Sequence, residues 1–367
     1  MSVPFGDFKA HVAALRGEID AAIARVLDSG WFILGPEGEA FERELASALG
    51  SKDAVAVANG TEAIQLALEA LGIGPGDEVI TSPLTAAFTA LAVQRAGATP
   101  VFADLDPKTL NVAPEAVGQA VTSQTRALLP VHLYGHPADL DSLLAISRRH
   151  DIPLVEDACQ AHMAQYNGKT VGAISGIGAL SFYPTKNLGA LGDGGAVLVN
   201  DPDVATRLRR LRNGGQTDRY HHGGPGINSR LDELQAAVLR VKLRHLAAWS
   251  ERRRAVAALY RESLAGVVEL PEEQPYARAV YHLFVIRHPR RDALAATLEE
   301  RGIGTLIHYP FPLHLQPAFA SLGYRRGQFP VAEKAAAEIL SLPIYPEMTD
   351  AQALEVAAAI RELAPRV

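Results

Sequence analysis

The apolar positions of residues 7–28 recur every three or four places, at Val12, Leu15, Ile19, Ile23 and Val26. That spacing predicts one amphipathic helix. The run SGWFILGP (29–36) is apolar and has no period, and residues 37–49 predict a second helix, stopped by Gly50. From Ala54 the pattern changes to short apolar runs alternating with helical segments. AVAVAN leads into TEAIQLALEALG and DEVITSP into LTAAFTALAVQRAG, and TPVFADLD, RALLPVHLYG and IPLVEDA follow with helical patterns between them. Strands separated by helices of about 10–15 residues predict βαβ units, hence an α/β chain with a mainly parallel sheet and helices on both faces.

Two more strand-like runs, GALSFYP and GGAVLVN, flank Lys186. A helix is expected at 202–212, then a polar, glycine-rich loop over 213–228, then one long helical pattern from about 231 to 264. The last hundred residues hold a strand-like YHLFVIRH and helical patterns at 292–302 and 330–339. The expected division falls inside the long helix, with a large unit over 1–250 and a smaller α+β unit over 251–367. A 213–228 loop of that length tends to be functional or to face a partner.

Composition narrows the class. Hydrophobic residues at 48% and charged residues at 21% are ordinary for a globular chain with a full-sized core. The net charge of −6 argues against nucleic acid or a membrane surface as partner. Cys159 is the single cysteine, so neither an intrachain disulfide nor a multi-cysteine metal site is available, and no metal is expected. Charges near the N-terminus do not fit a signal peptide, and there is no apolar run of about 18 residues. A cytoplasmic protein is the expectation.

Against that background three clusters carry chemistry. Lys186 lies in the run Ser181-Phe182-Tyr183-Pro184-Thr185-Lys186-Asn187, between a strand and a glycine-rich stretch. A lysine held there and partly desolvated has a lowered pKa and can attack a carbonyl, for which pyridoxal phosphate is the natural aldehyde. That cofactor needs an acid for its ring nitrogen and a cradle for its phosphate. Asn59-Gly60-Thr61 joins a strand to a helix N-terminus, which suits phosphate; an ordinary N-cap gives the same pattern. Glu156-Asp157-Ala158-Cys159-Gln160 follows an apolar run, where ligands bind in parallel sheets; a solvated acidic turn reads equally well. Ser181 offers a second hydroxyl to phosphate. Asp193, with Gly192, Gly194 and Gly195, reads as a tight turn, and Ser229 or Asp232 as a helix cap. His132 and His136 lack a zinc context, and His221 and His222 read as solvated. His308-Tyr309 and His314 lie in an aromatic, proline-rich stretch that either lines a pocket or packs as a loop. Each cluster is weak alone. Their order along one α/β chain, phosphate turn, acid, then lysine, is much less a matter of chance.

The motifs NGTEAIQLAL, PVHLYGHPADL, EDACQAHMA, SFYPTKNLGALGDGG, GINSRLDELQAAVLRVKL and HYPFPLHLQPAF together resemble the DegT/DnrJ/EryC1/StrS family of pyridoxal-phosphate sugar aminotransferases over nearly the whole chain. The resemblance implies the PLP-dependent transferase fold type I, a large domain with a mainly parallel sheet and a smaller C-terminal domain. It implies that Lys186 anchors pyridoxal 5'-phosphate, that Asp157 faces the ring nitrogen, and that Gln160 lies on the phenolic oxygen side. Gly60, Thr61 and Ser181 match phosphate contacts. Asn228 matches a phosphate ligand given by a second subunit, so a homodimer with shared sites is implied. Relatives that dehydrate sugars carry histidine at the lysine position, so Lys186 points to transamination, with glutamate as donor, pyridoxamine phosphate as the aminated cofactor and a nucleotide-linked keto-sugar as acceptor. The HYPFPLHLQPAF stretch is more like members acting at C3 than at C4. One departure stands out: the aromatic residue expected to stack on the ring falls at Ala86, so that either Phe88, two positions on, substitutes for it or the stacking is lost. Arg212 and Arg230 are candidates for the donor carboxylate because they lie near the loop. The alternatives are a cofactor-binding sensor without turnover and a fold type I enzyme of another substrate class.

Overall fold

Helix α1 (Phe8–Ser29) forms where the apolar spacing predicts it. The Asp7 carboxylate caps it by accepting the Ala10 N–H at 2.9 Å, a contact worth about 1 kcal/mol. Leu15, Ile19, Ala22 and Val26 bury one face against Ala237, Val238 and Val241. Helix α2 (Pro36–Leu49) starts one residue earlier than expected, since Pro36 suits the first helical position, where no N–H bond is lost. The structure, a computed structural model, describes residues 2–367.

The alternation then runs β1 (Asp53–Val57), α3 (Gly60–Ala70), β2 (Glu78–Thr81), α4 (Ala87–Arg95), β3 (Thr99–Phe102), α5 (Pro114–Ala120), β4 (Thr125–Leu129), α6 (Leu140–His150) and β5 (Glu156–Asp157). A short ribbon of β6 (Gln165–Tyr166) and β7 (Lys169–Thr170) precedes β8 (Ile177–Ser181), β9 (Gly195–Val199) and α7 (Pro202–Leu211). Two groups of strands, β1-β9-β8-β5 and β3-β2-β4, are stitched together by the parallel bridges Leu128–Leu154 and Val131–Asp157. The resulting order is β1-β9-β8-β5-β4-β2-β3, parallel throughout except for β9. Helices cover the sheet, so its strands read as unbroken apolar runs and not as alternations; all five positions of β9 are buried. The carboxyl ends of β1, β5 and β8 therefore share one edge, and Val57, Gly195 and Ser181 lie in one row across three strands.

The long helix expected over 231–264 is two helices, α8 (Glu233–Leu243) and α9 (Leu246–Leu264). The His245 N–H bonds to the Lys242 carbonyl at 3.0 Å, a tightened turn that interrupts the helix without glycine or proline. Leu231 and Asp232 stay outside it, and Asp232 bridges to Ile33. The remainder comprises β10 (Ala277–Arg278), β11 (Phe284–Arg287), α10 (Arg291–Glu300), α11 (Pro330–Glu338), β12 (Ile339–Leu342) and α12 (Asp350–Leu363). The sequence reading lacked β12, which pairs antiparallel with β11, and α12, although the Thr349–Gln352 capping box marks the start of α12. Leu246, at the start of α9, packs in the core beneath the sheet; Val256, Ala257, Tyr260 and Leu264 pack in a separate core with Leu294, Leu298 and Ile360. Among the described residues no helix is long and apolar enough to cross a membrane.

Candidate active site

Asp157 ends β5 at the carboxyl edge of the sheet and is buried. Its backbone pairs with the segment after β4: its N–H donates to the Pro130 carbonyl at 2.9 Å and its carbonyl accepts the His132 N–H at 3.0 Å. Its carboxylate is lightly occupied: Oδ2 accepts from the Thr89 hydroxyl at 2.8 Å and Oδ1 from the Cys159 N–H at 3.2 Å. Thr89 escaped the sequence reading. Its hydroxyl lies 3.4 Å from that of Thr85, which precedes α4 in the sequence.

The lysine loop begins where β8 ends. The Lys186 N–H closes a turn onto the Tyr183 carbonyl at 2.8 Å, and the Ala190 N–H returns to the Phe182 carbonyl at 2.8 Å. The Lys186 amine has no ion-pair partner among the described residues. Burial lowers its pKa from the ordinary lysine value, and the Asp157 charge opposes that shift. Burial also pushes the Cys159 thiol well up, with Asp157 adding to the effect, so Cys159 stays protonated and Asp157 is the charge Lys186 feels. Three imidazoles sense Lys186 in turn. Burial first and the lysine charge second bring His162 down to about 3 and His308 to about 4, and push His282 well below its usual value.

The turn at Asn59 meets the same edge. Asn59 caps α3 by accepting the Glu62 N–H at 2.9 Å, and its carbonyl takes the Ala63 N–H at 3.0 Å. That leaves the Gly60 and Thr61 N–H groups without acceptors among the described residues, at the positive end of the helix. A Cβ on Gly60 would lie 2.6 Å from the Ser181 Cβ and 3.2 Å from the Cys159 sulfur, so only glycine lets these three segments converge. The Gln160 carboxamide is buried and bridges two segments: its Oε1 accepts the Tyr134 N–H at 2.7 Å and its Nε2 donates to the Tyr309 hydroxyl at 3.1 Å. Tyr309 and His308 thus reach the site, and burial with the Asp157 charge pushes the Tyr309 phenol up.

Other expected residues are placed differently. His314 is buried in a different core, its ring against Phe329 at 4.7 Å and its Nε2 3.0 Å from Glu333. The stretch 308–314 runs outward through Pro310 and the exposed Phe311 and turns in from Pro312, where the Leu313 N–H donates to the Pro83 carbonyl at 2.7 Å. Arg212 is unavailable to a donor carboxylate, because it is buried on Glu42 and the Ala56 carbonyl. Arg230 donates to Asn213 at 3.1 Å and is in no ion pair among the described residues. Asp232 makes no side-chain cap; the buried Glu233 beside it instead accepts the Gly35, Glu37 and Gly38 N–H groups at 2.8–2.9 Å and caps α2. Ser229 accepts the Ala58 N–H at 3.1 Å, while Asn228 is exposed. Phe88 is 63% exposed, outside any core, and Ala86 occupies the N-cap of α4.

A lysine loop, an acid and an open helix N-terminus at the carboxyl edge of this sheet are the architecture of PLP-dependent transferases of fold type I. The model of the DegT/DnrJ/EryC1/StrS aminotransferase family matches residues 13–361, and the chain belongs to that family. The dTDP-3-amino-3,4,6-trideoxy-alpha-D-glucose transaminase of Streptomyces venezuelae is 53% identical over 367 residues, covering 100% of this chain and 97% of that protein. The crystal structure of S. venezuelae DesV matches with a TM-score of 0.98 at 53% identity, over 100% of this chain and 99% of that one. The erythromycin biosynthesis sensory transduction protein EryC1 of Saccharopolyspora erythraea is 52% identical, over 98% of this chain and 99% of that protein. The chain is a PLP-dependent aminotransferase.

Proposed function

We propose that the chain moves an amino group from glutamate to carbon 3 of a nucleotide-linked keto-hexose, and that it does so in the cytoplasm as a homodimer with shared sites. The observation that carries this reading is the convergence of Gly60, Ser181, Asp157 and Lys186 on one edge of the sheet, with a lysine amine whose pKa burial lowers. The relative named for transamination to a 3-amino dTDP-sugar supports the acceptor class and the carbon.

When bound, PLP would supply the electron sink that lets a proton leave the donor carbon and be added at the acceptor carbon. The residues of this chain do the rest. Lys186 Nζ holds the cofactor and, once released, carries the proton at each carbon in turn, being free base at lower pH than an exposed lysine. Asp157 keeps a proton on the ring nitrogen, and Thr89 holds the carboxylate toward it. The Gly60 and Thr61 N–H groups and the Ser181 hydroxyl bind the phosphate. Gln160 spends one Nε2 proton on Tyr309 and has a second for the phenolic oxygen. Exposed Asn228 reaches the other subunit's phosphate, and Phe88 covers the ring in place of Ala86. His308 and Tyr309 meet the sugar; His314 acts only through packing. The division at 250/251 is part of the proposal, supported by α9 passing from one core to the other.

The test is a turnover screen with glutamate and dTDP- and UDP-linked 3-keto and 4-keto sugars, with the aminated carbon read by NMR. Amination at C4 overturns the regiochemistry. The second reading, a cofactor-binding sensor, is favoured by the EryC1 relative, which is called a sensory transduction protein. It predicts a cofactor spectrum that every amino donor leaves unchanged.

A further inference from the structure

Lys242 is a second lysine taken out of water, and its surroundings are unusual for a cation. It sits near the end of α8, 2% exposed, and no carboxylate among the described residues lies at ion-pair distance. Among the described residues its Nζ makes one hydrogen bond, to the Gly189 carbonyl at 2.6 Å. A buried ammonium with a single neutral acceptor costs stability, and a methionine would fill the same volume without that cost.

The acceptor explains the arrangement. Gly189 belongs to the loop that carries Lys186, and it is the point at which that loop folds back on itself. A Cβ there would lie 2.4 Å from the Pro184 carbonyl oxygen, so the chain must pass at backbone contact. The Asn187 carboxamide ties the loop to the Val280 carbonyl at 3.0 Å, and the Leu191 N–H is accepted by Gln235 of α8 at 2.8 Å. Lys242 and Gln235 thus fasten the returning limb to one rigid helix, while the turn at Tyr183 fastens the outgoing limb. Burial brings the Lys242 amine down to about 8 against an ordinary 10.5, and the Glu347 charge partly offsets this. The lysine therefore carries a positive charge near neutral pH, which strengthens its bond to the carbonyl.

We propose that Lys242 is a positioning residue for Lys186: by holding the Gly189 carbonyl it fixes the return of the lysine loop and hence the point from which the Lys186 amine acts. The proposal rests on the reading of Lys186 as the cofactor anchor. An amine misplaced by about 1 Å loses reactivity out of proportion to the displacement.

The experiment compares wild type, Lys242→Met, Lys242→Arg and Lys186→Ala. The rate of covalent PLP attachment to the apoprotein is read by borohydride trapping and mass spectrometry. Melting temperature, and kcat and KM for the amino donor, are measured alongside. Lys242→Met should slow attachment and lower kcat by about tenfold, with donor KM changed less than about twofold, because the donor's own contacts are untouched. A lowered melting temperature with attachment rate and kcat as in wild type shows a purely structural lysine and overturns the proposal. If Lys242→Met does not fold, Lys242→Arg decides: it keeps the charge but moves the donor, and should slow attachment in a folded protein. Attachment at the wild-type rate in that variant overturns the proposal equally. Failure of the underlying reading looks different, since PLP would then not attach at position 186 in wild type and Lys186→Ala would behave like it.

Discussion

Glu156 and Asp157 are neighbours on one short strand, both buried, and the fold treats them in opposite ways. Glu156 is closed in. Its Oε1 accepts the Ser175 N–H at 2.8 Å and hydroxyl at 3.0 Å, and its Oε2 accepts the Gly172 N–H at 2.6 Å and lies 3.1 Å from His132 Nε2. His132 Nδ1 accepts the Ala138 N–H at 3.0 Å, which leaves Nε2 as the protonated nitrogen facing Glu156. Burial would raise the Glu156 pKa, yet the His132 contact and the two amides hold it below the usual value. Asp157 has two donors and an edge open toward Lys186. A buried carboxylate with its lone pairs filled is a structural part; one left under-filled beside a lysine is available to a ligand.

The largest expected effect is at the open side. Lys186→Ala should abolish covalent PLP attachment and lower turnover by more than about a thousandfold, with melting temperature little changed. Full activity in that variant refutes the anchor. Asp157→Asn should cost turnover about a hundredfold or more while leaving the protein folded. The same variant sharpens the electrostatics. The folded-state pKa of Lys186 is lowered, so the free amine grows in, and attachment quickens, as pH rises through a midpoint below 10.5. Asp157 opposes that shift, so removing its charge should move the midpoint further down; an upward move would contradict the geometry.

The closed side should fail differently. Glu156→Gln is expected to cost about 3 kcal/mol of stability, read by denaturant unfolding, with activity per folded molecule close to wild type. Because the folded pKa of Glu156 is depressed, its contribution is present above the unfolded value of 4.5 and is lost as pH falls through the folded one. Glu156→Gln should flatten that part of the acid limb. Loss of turnover without loss of stability would erase the contrast between the two carboxylates. The smallest effect is expected at His314. His314→Gln should leave kcat/KM within about twofold of wild type and cost about 1 kcal/mol through its Phe329 and Glu333 contacts.

The residues of the candidate site were legible because each lies at a junction of pattern. Gly60, Asp157 and Ser181 follow short apolar runs, and a parallel α/β order brings such junctions to one edge. Residues that act on those residues were not legible. Thr89 and Lys242 look like ordinary helix positions, since their partners, Asp157 and Gly189, are 68 and 53 residues away. His308, Tyr309 and His314 fall within seven residues of sequence, yet the chain turns between them and sends only the first two toward Lys186.

Local pattern alone determined the α/β class, the positions of most strands and helices, and the lysine that can anchor a cofactor, because hydrophobic period and strand-to-helix junctions act over a few residues. Tertiary structure decided what contacts across the chain decide: the break between α8 and α9, the antiparallel course of β9 within the main sheet, and which of two adjacent acids stays open. It also decided that buried Lys242 binds a carbonyl while the half-buried Lys186 amine has neither hydrogen bond nor ion pair among the described residues. Burial and hydrogen-bond partners set the charge and reach of a side chain, and both come from residues far away in sequence.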